Sequence, residues 1–170
     1  LFMKYLFYPL ILILIVLTFV EFLPVAWYAI AHLAVYQWFI YGFVAYFILR
    51  RLKFVSQNEE LQMTAAHERT HEFVGRLFLR KIHSIEIHEN HGAVCHSGGK
   101  FGSMFISLSP YCLPIYTYLI IFFRILGANK LLYVFDVFIG LTLAFHIVCF
   151  WNQTHPKQSD IQGQGVIRSY

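Results

Sequence analysis

Four apolar stretches govern what this chain can fold into: Leu6–Phe22, interrupted by Pro9, then Val25–Leu49, Met104–Leu126 and Leu131–Trp151. Each is near or above the roughly 20 residues that a helix needs to cross about 30 Å of hydrocarbon. A chain of 170 residues that is 58% hydrophobic, 19% aromatic and only 13% charged lies outside the usual composition of a soluble domain. It reads as an integral, multi-pass membrane protein. Pro24 between the first two stretches predicts a tight helical hairpin, and Gly127-Ala128-Asn129-Lys130 predicts a second one. The first stretch does not read as a signal peptide, because it lacks a small-residue cleavage site and another span follows at once. The chain opens on Leu1 rather than Met, so a piece of a longer protein is the expectation.

Between the hairpins the character changes. Arg50, Arg51 and Lys53 close the second stretch, residues 56–62 are polar, and a helix is expected from Glu59 to Arg80. Its Glu59, Glu60, Glu68, Arg69, Glu72, Arg76 and Arg80 would be costly in bare lipid, so it must face other helices or a wet cavity. This helix contains His67-Glu68-Arg69-Thr70-His71, a HExxH pattern. Residues four apart share a helix face, so both imidazoles can reach one zinc ion at roughly 2.0–2.1 Å. Glu68 lies about 100° round the helix, placed to hold a water without binding the ion. Chance would produce the pattern with a probability of only about 2% in a chain of this composition.

Lys81 to His88 alternates apolar and polar residues, Glu89-Asn90-His91-Gly92 supplies turn residues, and Ala93-Val94-Cys95-His96 follows. A β-hairpin ending at Ser97-Gly98-Gly99 is expected. Its His83, His88, His91 and His96 read as solvated strand positions rather than a second metal cluster, since period-two spacing puts His83 opposite His88. Pro110 and Pro114 predict a kinked or partly unwound start to the next span. Two readings of them stay open: freed carbonyls that line a cavity, or a bend that lets this helix pack on the HExxH helix. Cys95, Cys112 and Cys149 have no CxxC spacing and read as free thiols. The net charge of +4 sits at span ends and suits lipid headgroups; no nucleic-acid partner is indicated.

HExxH, then a hairpin, further spans and a late aspartate in a Pro-containing loop: from about residue 60 onward this resembles the site-2 protease family of intramembrane zinc metalloproteases. The resemblance implies that His67 and His71 are zinc ligands, that Glu68 is the general base, and that an aspartate from a late Asp-Gly motif completes the site. Here the chain departs from the pattern, because it has no Leu-Asp-Gly and only two aspartates, Asp136 and Asp160. Asp160 follows Asn152-Gln153-Thr154-His155-Pro156, similar to the family's Asn-Pro loop, and is the expected third ligand. Asp136, inside an apolar span where an unpaired charge is costly, and His146 remain alternatives.

The expected fold is an all-α polytopic membrane protein of about five to six membrane helices with a small β-hairpin after the HExxH helix. It divides into an N-terminal transmembrane hairpin, 1–53, and a metalloprotease-like membrane core, 54–170. The resemblance implies a Zn2+-dependent endopeptidase, multi-pass in the bacterial inner (cytoplasmic) membrane. It would cleave a transmembrane protein substrate whose helix must first unwind. The hairpin could add an extended substrate segment as a further strand. Membrane lipid and other membrane subunits complete the expected partners. Arg50, Arg51 and Lys53 suggest a cytoplasmic loop. A non-catalytic structural subunit of a larger membrane complex is the alternative; a transporter would call for an internal repeat that is not seen.

Overall fold

The computed structural model describes residues 2–54, 58–89, 91–98, 102–155 and 158–164, with 2–11, 14, 15 and 164 described by backbone alone. The chain is mostly helical with one small antiparallel sheet, and it forms two compact units, Leu1–Gln37 and Trp38–Tyr170.

The first unit is built on α1 (Phe2–Ala31). Pro24 lies inside this helix and does not close a hairpin. A proline removes one helical hydrogen bond and can kink a helix, yet apolar helices in lipid tolerate it. The chain turns only at 32–36, where the Val35 N–H donates to the His32 carbonyl at 2.9 Å and the Tyr36 N–H to the Leu33 carbonyl at 3.1 Å.

The second unit holds α2 (Gln37–Arg51) against a later helix, α6 (Leu132–Gln153). Gly42 faces the Val137 carbonyl and Gly140 faces the Phe39 carbonyl, each so closely that a Cβ would overlap the opposite backbone. Small residues on both helices thus let two apolar backbones meet, the usual device for helix packing in lipid. Beside this crossing the core gathers Tyr46, Met63, Ala144, Val148 and Cys149, with Phe43, Leu141 and Phe145 packed on it.

Met63 comes from α3 (Glu59–Leu77), the HExxH helix. Glu59 and Glu60 in its first turn and Arg76 in its last oppose the helix dipole with the favourable sign. It ends short of Arg80 because Leu79 takes a left-handed φ of 56°. The Arg80 N–H then returns to the Gly75 carbonyl at 2.9 Å, a Schellman closure that turns the chain straight into the sheet. Strand β1 (Lys81–Ile87) pairs antiparallel with β2 (Gly92–Ser97), from Lys81↔Ser97 to Ile87↔Gly92, and a bulge leaves His83 without an opposite residue.

The expected single span Met104–Leu126 is two helices, α4 (Ser103–Cys112) and α5 (Ile115–Leu126), bent by 77°. Pro114 is the physical reason: it disfavours a helical Leu113, which is extended at φ −110° and ψ 104°. A 3-10 turn, Asn129–Leu131, leads into α6. Among the described residues, Asn129–Gln153 is the one helix long and apolar enough to cross a membrane, or two if the bent pair counts as one span. A short α7 (Ser159–Gln164) packs on α4, and its Ile161 is 2% exposed.

Candidate metal centre

The 3.6-residue period of α3 puts His67 and His71 on one face a turn apart, both buried, with ring centroids 4.7 Å apart. The first turn of α7 brings Asp160 to them. Its Oδ2 lies 3.1 Å from Nε2 of His67 and 3.1 Å from Nε2 of His71. One ligand atom from each of the three residues falls within 4.8 Å of the others.

The far side of each ring shows what the near side offers. His71 Nδ1 stands 2.8 Å from the Ile106 carbonyl oxygen, which can only accept, so Nδ1 carries the proton. A neutral His71 therefore presents the Nε2 lone pair to a carboxylate oxygen. His67 is arranged in the same way, with Nδ1 3.3 Å from Gln153 Oε1. Nε2 of both rings and Oδ2 of Asp160 thus converge, held together either by protons on the Nε2 atoms or by a cation in their place. Ionisation follows the same logic. Burial pushes the Asp160 carboxyl up, but hydrogen bonding to His67 and His71 and their charge hold it well below the usual carboxylate range. Burial alone would lower His71; hydrogen bonding to Asp160, its charge and the Ile106 carbonyl raise it instead.

Two imidazole nitrogens and one carboxylate oxygen, each ring anchored from behind, are the donor set of a zinc site that keeps a fourth position open. The residues present fit that ion. The open side meets a cavity of about 810 Å³ lined by α3, by β2 from Gly92 to Val94, and by Asn152 and Gln153. Glu68 also lines it and is itself 6% exposed. Burial pushes its carboxyl up, His67 and His71 pull it back, and Asp160 adds to the rise. Gly92 lies directly over this side chain: a Cβ there would stand 2.5 Å from Glu68 Cγ and 2.6 Å from Oε1. The hairpin tip is tied to α3 by the Thr64 hydroxyl, which donates to the Glu89 carbonyl at 3.3 Å.

The other candidates lie elsewhere. Asp136 is not an isolated buried charge, because Arg124 of α5 donates to it at 2.6 and 3.3 Å. His146 borders a separate small cavity of about 20 Å³ behind His67. His88 and His91 stack at 4.5 Å beside the hairpin turn, and His83 Nε2 stands 2.9 Å from Ser97 Oγ. Among the described residues, no second cluster has metal-ligand geometry. Cys95, Cys112 and Cys149 are free thiols.

Gln153 and Gly92 escaped the sequence, and the Ile106 carbonyl was foreshadowed only as one of those that Pro110 and Pro114 would free. Gln153 and Gly92 look like ordinary loop or turn residues. The carbonyl had one signal, Pro110 four residues later, where an α-helix would otherwise supply its donor.

A family model, Peptidase M50B-like, matches residues 39–154. The chain belongs to the Peptidase M50B-like family. It therefore carries a site-2 protease family domain, of a kind that is membrane-embedded and zinc-dependent in general. The matched segment holds the HExxH residues and ends before Asp160. No curated protein and no solved structure matches the chain.

Proposed function

We propose that this chain is an intramembrane zinc metalloendopeptidase of multi-pass topology, cleaving a peptide bond in a transmembrane protein substrate. One observation carries the reading: one possible ligand atom from each of His67, His71 and Asp160 lies within 4.8 Å of the others, beside Glu68 at the edge of a cavity large enough for an extended peptide.

Zinc bound at the three donors supplies Lewis-acid polarisation of a carbonyl and acidifies water near neutrality. The chain's own residues do the rest. Glu68, its carboxyl made more basic by burial, takes the proton of the attacking water and delivers it to the leaving amine. Gly92 leaves the room that the Glu68 side chain fills. A substrate helix has its amides bonded internally, so it must unwind to present a scissile bond. Strand β2 lines the cavity, and its edge offers backbone groups with which an unwound segment can pair as an added strand. Proline placed on β2 should then slow cleavage while zinc content holds; unchanged cleavage would remove this role.

The decisive test is the zinc content of the purified, detergent-solubilised chain, by elemental mass spectrometry after mild dialysis. The expected result is near one zinc per chain, lost in His67→Ala, His71→Ala and Asp160→Asn. Glu68→Gln should keep the metal and lose cleavage of a membrane-embedded peptide. Near-zero zinc in the parent would assign the chain instead to a non-catalytic subunit of a membrane complex.

A further inference from the structure

In a regular α-helix the N–H of residue 110 would donate to the carbonyl of residue 106. Pro110 has no N–H, so the Ile106 carbonyl is left without its helical donor. Ile106 is 3% exposed, and a buried carbonyl does not stay unpaired without cost. Two side chains fill the gap. The Ser109 hydroxyl donates at 2.7 Å and His71 Nδ1 at 2.8 Å. A carbonyl oxygen has two lone pairs, and both are now taken.

We infer that Pro110 is a positioning residue for His71. By withholding a backbone donor it reserves the Ile106 carbonyl for the His71 ring, which fixes the proton on Nδ1 and aims Nε2 at the point shared with His67 and Asp160. The inference rests on the reading of His71 as a metal ligand. A purely mechanical role for Pro110 has little support in the fold. Helix α4 continues through it to Cys112, and the Leu113 N–H still reaches the Ser109 carbonyl at 2.8 Å. The 77° bend sits at Leu113-Pro114.

The test uses the full chain in detergent with cobalt(II) alone as the probe, titrated by its ligand-field absorption against a competing chelator. Pro110→Ala restores an N–H that becomes a third claimant for two lone pairs. Its cobalt affinity is expected to fall about tenfold, the scale of losing an outer anchor of a metal-bound histidine. Adding Ser109→Ala to that variant frees one lone pair and should recover most of the loss. A Pro110→Ala chain that binds cobalt like the parent overturns the inference, and so does failure of Ser109→Ala to rescue. Should Pro110→Ala not fold, nitrogen-15 spectra of the metal-free parent, at a pH where the His71 ring is neutral, decide it: the Nδ1–H tautomer of His71 is expected, and the Nε2–H tautomer overturns it. A parent that binds no cobalt overturns the metal reading and this inference together, whereas a binding parent with an unaffected variant overturns this inference alone.

Discussion

Gln153→Ala removes the acceptor behind His67 without touching a ligand atom. The Nδ1···Oε1 distance of 3.3 Å is slightly beyond the common range for N–H···O bonds, and the acceptor is an uncharged amide. Such a bond contributes about 0.5–1.5 kcal/mol net, which converts to a loss of roughly two- to twelvefold in metal affinity. The length of the bond places the expectation in the lower half of that interval, about two- to fivefold. Gln153→Glu runs the other way, because a carboxylate accepts from Nδ1–H about twice as strongly and raises the basicity of Nε2. Zinc affinity, measured by chelator competition on parent and both variants at one pH and salt, checks the order Glu, Gln, Ala. Equal affinities for parent and Gln153→Ala, with no gain from Gln153→Glu, would show that Gln153 does not orient His67.

Further outcomes follow from other contacts. Gly92→Ala sets a methyl 2.5 Å from Glu68 Cγ, so the base must move by about an ångström; turnover should fall about 100-fold while zinc content stays unchanged. The two aspartates should separate cleanly. Asp160→Asn loses zinc, while Asp136→Asn keeps it and costs only about 1 kcal/mol of stability, since the Arg124 pair is partly exposed at 39% and 27%. Gly140→Ala pushes a methyl into the Phe39 carbonyl, and denaturant titration of the detergent-solubilised chain should show a loss of about 1–3 kcal/mol with the metal site intact.

Features with a short repeat were legible from the chain itself. His67, Glu68 and His71 are close because a helix brings residues four apart together, whatever surrounds it. The alternation from Lys81 to His88 likewise specified a strand and the residues after it a turn, and β1 and β2 form there. Prolines were harder to read. Pro24 was expected to break a helix and sits inside one, while Pro114 bends the chain by 77°. Local rules state what a proline removes; whether the helix continues depends on what else satisfies the backbone.

Only the tertiary structure shows where the two aspartates lie. Asp160 reaches His67 across 93 residues of sequence, on a short helix whose Ile161 is buried, and Asp136 is claimed by an arginine on the neighbouring helix. The roles of Gly92 over Glu68, Gln153 behind His67 and the Ile106 carbonyl behind His71 have the same origin. Each is a contact between elements far apart in the chain, and no periodicity records it. The nearness of His67, Glu68 and His71 was determined by sequence because helix geometry is local. The place of Asp160 and of the groups behind the two rings was decided by packing, because long-range contacts depend on which surfaces the folded helices present to one another.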